Sequence, residues 1–269
     1  FGLDNYLYYN GNCRNDGCFN MMKAAIFYSD IVTTVSPTYA KEILTPEYGE
    51  GLQNILEMRK YDLYGILNGV DYDVINPATD PEIVKNYDIN TVFEDKVANK
   101  DVPLIGVVTR LTKQKGLDLI LNQFSEMCSR DVQIIILGAG DHVYEDALKG
   151  IAYHHPDKVS LQLKYDFGLS CRIYAGCDMF LMPSLFEPCG LSQMMSLRYG
   201  TIPIVRETGG LKDSVQPYDE YAHTGTGFSF ANFNAHEMMR TIDYALKVYN
   251  EDPEAWKDIM TRAMSAKLD

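Results

Sequence analysis

From Pro103 onward the sequence repeats one pattern, an apolar run of strand length followed by a stretch with helical periodicity. The runs fall at 104–109, 132–137, 158–163, 178–182 and 201–205, and the helical stretches at 116–127, 144–154, 168–176 and 190–199. Runs apolar at every position belong to strands buried on both faces. Strands of that kind separated by helices form a parallel sheet with right-handed crossovers. The tail, 235–249 and 254–264, reads as two further helices. The expected fold is an α/β, doubly wound parallel sheet. Its ligand belongs beyond the carboxyl ends of the strands.

That rule ranks residues before any chemistry is considered. The strand ends carry Arg110, then Gly138-Ala139-Gly140, then Tyr165, then Ser184 and Glu187, and last Glu207-Thr208-Gly209-Gly210. The opening stretch is more mixed. It holds a turn-rich start at 10–12, a helical pattern at 21–28 and a short strand at 31–35. Ser36-Pro37 reads as a helix start, with Ser36 as N-cap and Pro37 at the first helical position.

The segment Arg110-Leu-Thr-Lys-Gln-Lys-Gly116 places three cations within six positions, directly before a helix. A diphosphate needs cations and unpaired backbone N–H groups, and a helix N-terminus supplies the second. A solvated basic loop is the bland alternative; it is retained for Lys113, whereas Arg110 and Lys115 read as functional. Gly138-Ala139-Gly140 matches only part of a dinucleotide fingerprint, since position 143 is Val. A tight turn and a close ligand approach stay equally open there. Glu187 stands just before Pro188 and a helix start, where the helix dipole favours an ionised carboxylate that can accept from sugar hydroxyls. N–H groups around Gly190, Leu191 and Ser192 are placed to face a phosphate. Thr208-Gly209-Gly210 lets backbone approach a ligand closely, although taken alone a plain turn is the favoured reading.

Several classes are excluded or unsupported. The net charge of −13, from 24 Lys and Arg against 37 Asp and Glu, argues against general nucleic-acid binding and against a polybasic membrane patch. The longest strongly apolar stretch, 134–137, is far short of a membrane span. Six cysteines without a Cys-x-x-Cys pair read as free thiols in a reducing compartment, which implies a cytoplasmic protein. Cys13 and Cys18 read as two loop thiols. The five histidines show no i, i+4 pair and no cysteine cluster, so no metal is expected. His154-His155 reads as a polar helix end. The chain opens on Phe1 and is expected to be a processed form or a fragment.

Taken together, Thr33-Thr-Val-Ser-Pro-Thr-Tyr-Ala40, Leu67-Asn-Gly-Val-Asp71, Val108-Thr-Arg-Leu-Thr-Lys-Gln-Lys-Gly-Leu-Asp118, Leu137-Gly-Ala-Gly-Asp141, Pro183-Ser-Leu-Phe-Glu-Pro-Cys-Gly-Leu191, Arg198-Tyr-Gly-Thr201 and Thr208-Gly-Gly-Leu211 resemble bacterial glycogen synthase and plant starch synthase. Those are nucleotide-sugar glucosyltransferases of the GT-B fold, built from two facing Rossmann-like domains. The resemblance implies that residues 1–67 are the tail of the N-terminal, acceptor-side domain. It makes residues 68–269 the C-terminal nucleotide-sugar-binding domain.

It implies transfer of glucose from ADP-glucose to the non-reducing 4-hydroxyl of an α-1,4-glucan, with anomeric configuration retained and no cofactor. Arg110 and Lys115 would hold the diphosphate and Glu187 the donor-sugar hydroxyls. Asn68 would lie near the donor and Tyr165 beside the base. Cys189 occupies the family's active-site cysteine position and is expected to pack rather than to act as a nucleophile. The family's Lys-x-Gly-Gly-Leu segment, its N-terminal histidine and its final helix have no counterpart here. Extra residues are expected between Lys100 and Asp101. The position eight after Glu187, where sister transferases carry a second Glu, is Met195. The chain is thus expected to be nearly inactive without its N-terminal domain. A related retaining transferase using UDP-glucose, and a catalytically silent nucleotide- or glucan-binding module, are the competing readings.

Overall fold

The computed structural model describes residues 4–96 and 102–268. The extra chain expected between Lys100 and Asp101 falls outside the described residues. The chain divides into two compact units, Phe1–Leu67 and Asn68–Asp269.

In the second unit six strands form one parallel sheet. They are β1 (Leu104–Val108), β2 (Gln133–Leu137), β3 (Val159–Gln162), β4 (Met179–Met182), β5 (Ile202–Arg206) and β6 (Phe228–Phe230). Their spatial order is β3-β2-β1-β4-β5-β6, so the order reverses between β1 and β4. Five of the strands sit within two residues of the expected positions. The sixth was not expected: Phe228–Phe230 is three residues long and follows Gly227, too short for a periodic signal. All four residues of β4 are buried, as a central strand covered by helices on both faces requires.

The helices are α1 (Leu117–Ser129), α2 (His142–His154), α3 (Phe167–Gly176), α4 (Ser192–Arg198), α5 (Gly209–Ser214), α6 (Ala235–Glu251) and α7 (Pro253–Met264). Helix α1 buries Leu117, Ile120, Phe124 and Met127, a stripe at three- and four-residue spacing. Asp166 caps α3 by accepting from the Leu169 N–H at 2.9 Å. Asp252 caps α7 through the Ala255 N–H, with Pro253 at the first position. His154 is the last residue of α2, as its reading as a polar helix end requires. The segment read as a simple turn at Thr208-Gly209-Gly210 instead opens α5.

The first unit is smaller in every element. Met21–Tyr28 is a helix, and Ser36 caps Pro37–Glu42 by accepting from the Tyr39 N–H at 2.9 Å. Val32–Thr34 and Leu63–Gly65 form a two-stranded parallel sheet. Ile26, Ile55 and Leu56 make its core. All six cysteines are free thiols. Among the described residues no helix is long and apolar enough to cross a membrane.

Candidate donor site

The reversal of strand order places a crevice beyond the carboxyl ends of β1 and β4. A cleft of about 400 Å³ lies at this edge of the sheet. Its walls come from the ends of β1 (Arg110), β2 (Gly138, Ala139) and β3 (Lys164, Tyr165), and from the start of α4 (Leu191, Ser192). Its floor is apolar, with Val108, Leu137 and Met195. Tyr165 is 92% exposed on the rim, and Arg110 is exposed. Tyr174 lines the cleft and bonds the Ser192 side chain; burial pushes its phenol up.

Lys115 and Glu187 form a second group. Lys115 ends a single 3-10 turn, Lys113–Lys115, that follows β1. Its Nζ lies 2.5 Å from Glu187 Oε2, with side chains only 14% and 7% exposed. The buried Ser184 hydroxyl donates to the same oxygen at 3.1 Å. Removing either member of an ion pair this buried leaves the other without its partner, which is costly. The segment carrying Glu187 is tied to the Lys115 turn twice. The Leu185 N–H donates to the Gln114 carbonyl at 2.8 Å, and Gln114 Nε2 donates to the Phe186 carbonyl at 3.1 Å.

The structure therefore brings Arg110, Gly138, Tyr165, Leu191 and Ser192 onto one cleft, and pairs Lys115 with Glu187 beyond the same two central strands. Asn68 is exposed, and its backbone and side chain both lie against the Cys189 thiol. Burial pushes that thiol up, against the opposing effect of Asn68, so it is a poor nucleophile. Gly190 lies in the irregular segment between Glu187 and α4, with a backbone φ of 70°.

At two of the glycine sites close backbone packing by itself requires glycine. The Gly138 N–H donates to the Gln162 carbonyl, and a Cβ there would collide with the Thr109 carbonyl oxygen. The exit of β1 crosses Gly138 closely enough to require glycine, and Gly138 also lines the cleft. Thr208, Gly209 and Gly210 are buried and are not among the cleft-lining residues. They stand behind the acid's segment: the Gly210 N–H donates to the Glu187 carbonyl at 3.0 Å, and a Cβ on Gly210 would meet the Cys189 carbonyl.

Sequence reasoning missed Gln114, Gln193 and Arg206. Each of them holds backbone of the Glu187 segment, and only Arg206 gave a detectable signal, a cation at a strand's carboxyl end. Among the described residues, no group of three or more His, Cys, Asp or Glu is placed to hold a metal ion.

The second unit is thus a Rossmann-like domain with a cation on the wall of its switch-point cleft and a lysine-paired buried acid beside it. Residues 88–261 match the family described as glycosyl transferases group 1, and residues 1–58 match the starch synthase catalytic domain. The chain belongs to the group 1 glycosyl transferases. It is 49% identical, over 99% of its length, to a glycogen synthase of Clostridium beijerinckii, and 50% identical over 99% to one of Clostridium perfringens. It spans 58% of the length of each of these relatives. The catalytic domain of starch synthase IV from Arabidopsis thaliana, solved with ADP and acarbose, superposes with a TM-score of 0.89 at 37% identity, covering 99% of this chain and 59% of that one.

Proposed function

We propose that this chain is the donor-binding part of a retaining glucosyltransferase that moves glucose from ADP-glucose to the non-reducing 4-hydroxyl of an α-1,4-glucan. The observation that carries the reading is the buried Lys115–Glu187 pair beside a switch-point cleft walled by Arg110. As the bond from glucose to diphosphate breaks, negative charge grows on the phosphate and the sugar becomes oxocarbenium-like. Arg110 and Lys115 are the cations suited to the first charge. Glu187, released from Lys115 by the incoming diphosphate, accepts from hydroxyls of the donor sugar and orients the ring. Tyr165, on the rim, covers the base, and Asn68 holds the Cys189 end of the acid's segment. In this proposal the leaving phosphate takes the acceptor proton on the same face as departure, and no metal takes part.

The names of the matched relatives, and the ADP and acarbose bound to the solved starch synthase, support this choice of donor and glucan class. The proposal also makes residues 1–67 the tail of an acceptor-side domain. Normal turnover then requires the rest of that domain, since orientation of two substrates needs both walls of the cleft. A cytoplasmic setting fits the six free thiols.

Calorimetric titration with ADP, UDP and ADP-glucose tests the reading. ADP and ADP-glucose are expected to bind, with UDP weaker, and Lys115→Ala is expected to weaken ADP by about a hundredfold, the loss of a charge-assisted contact and its buried partner. ADP affinity unchanged in Lys115→Ala removes Lys115 from the site. Tighter binding of UDP moves the assignment to the UDP-glucose transferases.

A further inference from the structure

Chain from Pro183 to Gly190 has neither helix nor strand, yet Ser184, Glu187 and Cys189 within it are buried. Buried backbone carbonyls in such a segment need donors. The donors come from four separate elements. Gln114 Nε2 serves the Phe186 carbonyl, and the Gly210 N–H serves that of Glu187. Gln193, itself fully buried, serves Cys189 and Gly190 at 3.1 and 2.8 Å. Arg206, the last residue of β5, serves two more: its Nη1 donates to the Leu185 carbonyl and, at 3.4 Å, to that of Ser184. The Phe233 ring lies 5.8 Å from its guanidinium carbon, and its Nε is buried without an acceptor.

We infer that Arg206 is a positioning residue for Glu187, its guanidinium clamping the two carbonyls that precede the acid so that the carboxylate meets Lys115 and, later, the donor sugar. The inference rests on the donor-site reading above for its effect on ligands. Arg206 is absent from the cleft lining and makes no ion pair with Glu187 among those recorded for the described residues, so its influence passes through the backbone. Of the donors that hold this segment it is the one with a permanent charge. Both bonds come from Nη1, and the rigid planar guanidinium fixes the direction in which that nitrogen donates, as a freely rotating ammonium does not. Loss of the clamp frees the segment to drift. Lys115 sits on a different element and keeps its place, so the diphosphate contact survives while the sugar contact does not.

The test compares ADP with ADP-glucose. Arg206→Met is expected to weaken ADP-glucose by about tenfold or more while ADP changes by less than about threefold, because only the sugar end depends on Glu187. Arg206→Lys, which keeps the charge but not the fork, is expected to recover part of the loss. Glu187→Gln and Arg206→Met combined should discriminate between the two ligands no worse than Glu187→Gln alone. Equal weakening of both ligands, or none, overturns the inference. A ligand-free arm keeps the two readings apart. The melting-temperature shifts of Arg206→Met (or of Arg206→Lys, should the first not fold) and Glu187→Gln are expected to be non-additive. If the unaltered protein binds neither ligand, the donor-site reading fails, and additive shifts then overturn the positioning role as well.

Discussion

The two units of this chain solve the burial problem to different degrees. Asn68–Asp269 has six parallel strands, helices on both faces and a core that includes fully buried Ile105, Ile134, Ile136 and Met179. Phe1–Leu67 has one two-stranded parallel sheet over a cluster of three buried side chains. Among the described residues ten large apolar side chains are exposed in the smaller unit, Tyr61, Met58 and Ile31 among them, against eight in the larger. A parallel ladder of two strands cannot satisfy its outer edges, and parallel sheets otherwise occur covered on both faces. The larger unit therefore has what it needs to fold on its own terms, whereas the smaller has the secondary structure of a sheet but not its core. The candidate donor site follows the same division: every residue assigned to it, from Asn68 to Gly210, belongs to the larger unit.

Hydrogen exchange gives the largest effect by which this contrast can be broken. Amides of β1 and β2 are expected to exchange about a thousandfold or more slowly than those of Val32–Thr34 and Leu63–Gly65, because exchange follows the local opening free energy. Equal protection in the two sheets would show that the smaller unit is as stable as the larger and that its exposed side chains carry no penalty.

Core truncation sharpens the same point. Ile136 has no exposed surface in β2, and Ile55 is buried in the small cluster. Ile136→Ala is expected to lower the urea-unfolding free energy of the main transition by about 3 kcal/mol, from lost burial plus the cavity left behind. Ile55→Ala is expected to leave that transition within about 0.5 kcal/mol, since two units of unequal stability do not unfold as one. A shift of the main transition by Ile55→Ala as large as that by Ile136→Ala would mean a single cooperative unit.

How much of this was legible in the sequence also divides by region. Strands β1, β2, β4 and β5 announce themselves because burial on both faces leaves an uninterrupted apolar run. Strand β6 does not, because Phe228–Phe230 alternates over only three residues. Arg110, Lys115 and Glu187 were legible through the strand-end rule, which needs only local sequence. Gln193 was not, and Arg206 showed only as a cation at a strand's carboxyl end, with nothing to say what it holds. Their work lies in carbonyls of residues 184–190, and no local spacing marks a side chain that satisfies a segment on another strand. The glycines are hard to read for a related reason: a glycine that admits a ligand and one that admits a neighbouring carbonyl look alike in sequence. In the structure Gly138 and Gly210 face the Thr109 and Cys189 carbonyls, and Gly138 also lines the cleft.

The smallest effect concerns alkaline pH, and it too belongs to the larger unit. Burial pushes the thiols of Cys128, Cys171, Cys177 and Cys189 up from the model-compound value of 9.0, Cys171 to about 12. Such groups add stability in full below the unfolded thiol pKa and lose it progressively as pH rises from that value through the folded one. Together they cost about 1–2 kcal/mol between pH 7 and pH 9, since the unfolded state ionises there and the folded state does not. Lys96 acts in the opposite sense. Burial lowers its ammonium to about 8, with Asp178 and Cys177 facing it, while Nζ donates to the Gly200 carbonyl at 2.9 Å and the Thr201 hydroxyl at 2.7 Å. The folded state releases this proton near pH 8 and the unfolded state holds it to about 10.4, so stability rises across that window, by about 1 kcal/mol at pH 9. The unaltered protein is therefore expected to lose less than about 1 kcal/mol between pH 7 and pH 9, and Lys96→Met, stripped of the opposing contribution, about 1–2 kcal/mol. Urea midpoints at the two pH values decide it. Parallel losses in the two proteins would show that Lys96 keeps an ordinary ammonium and that the thiols alone set the alkaline limit.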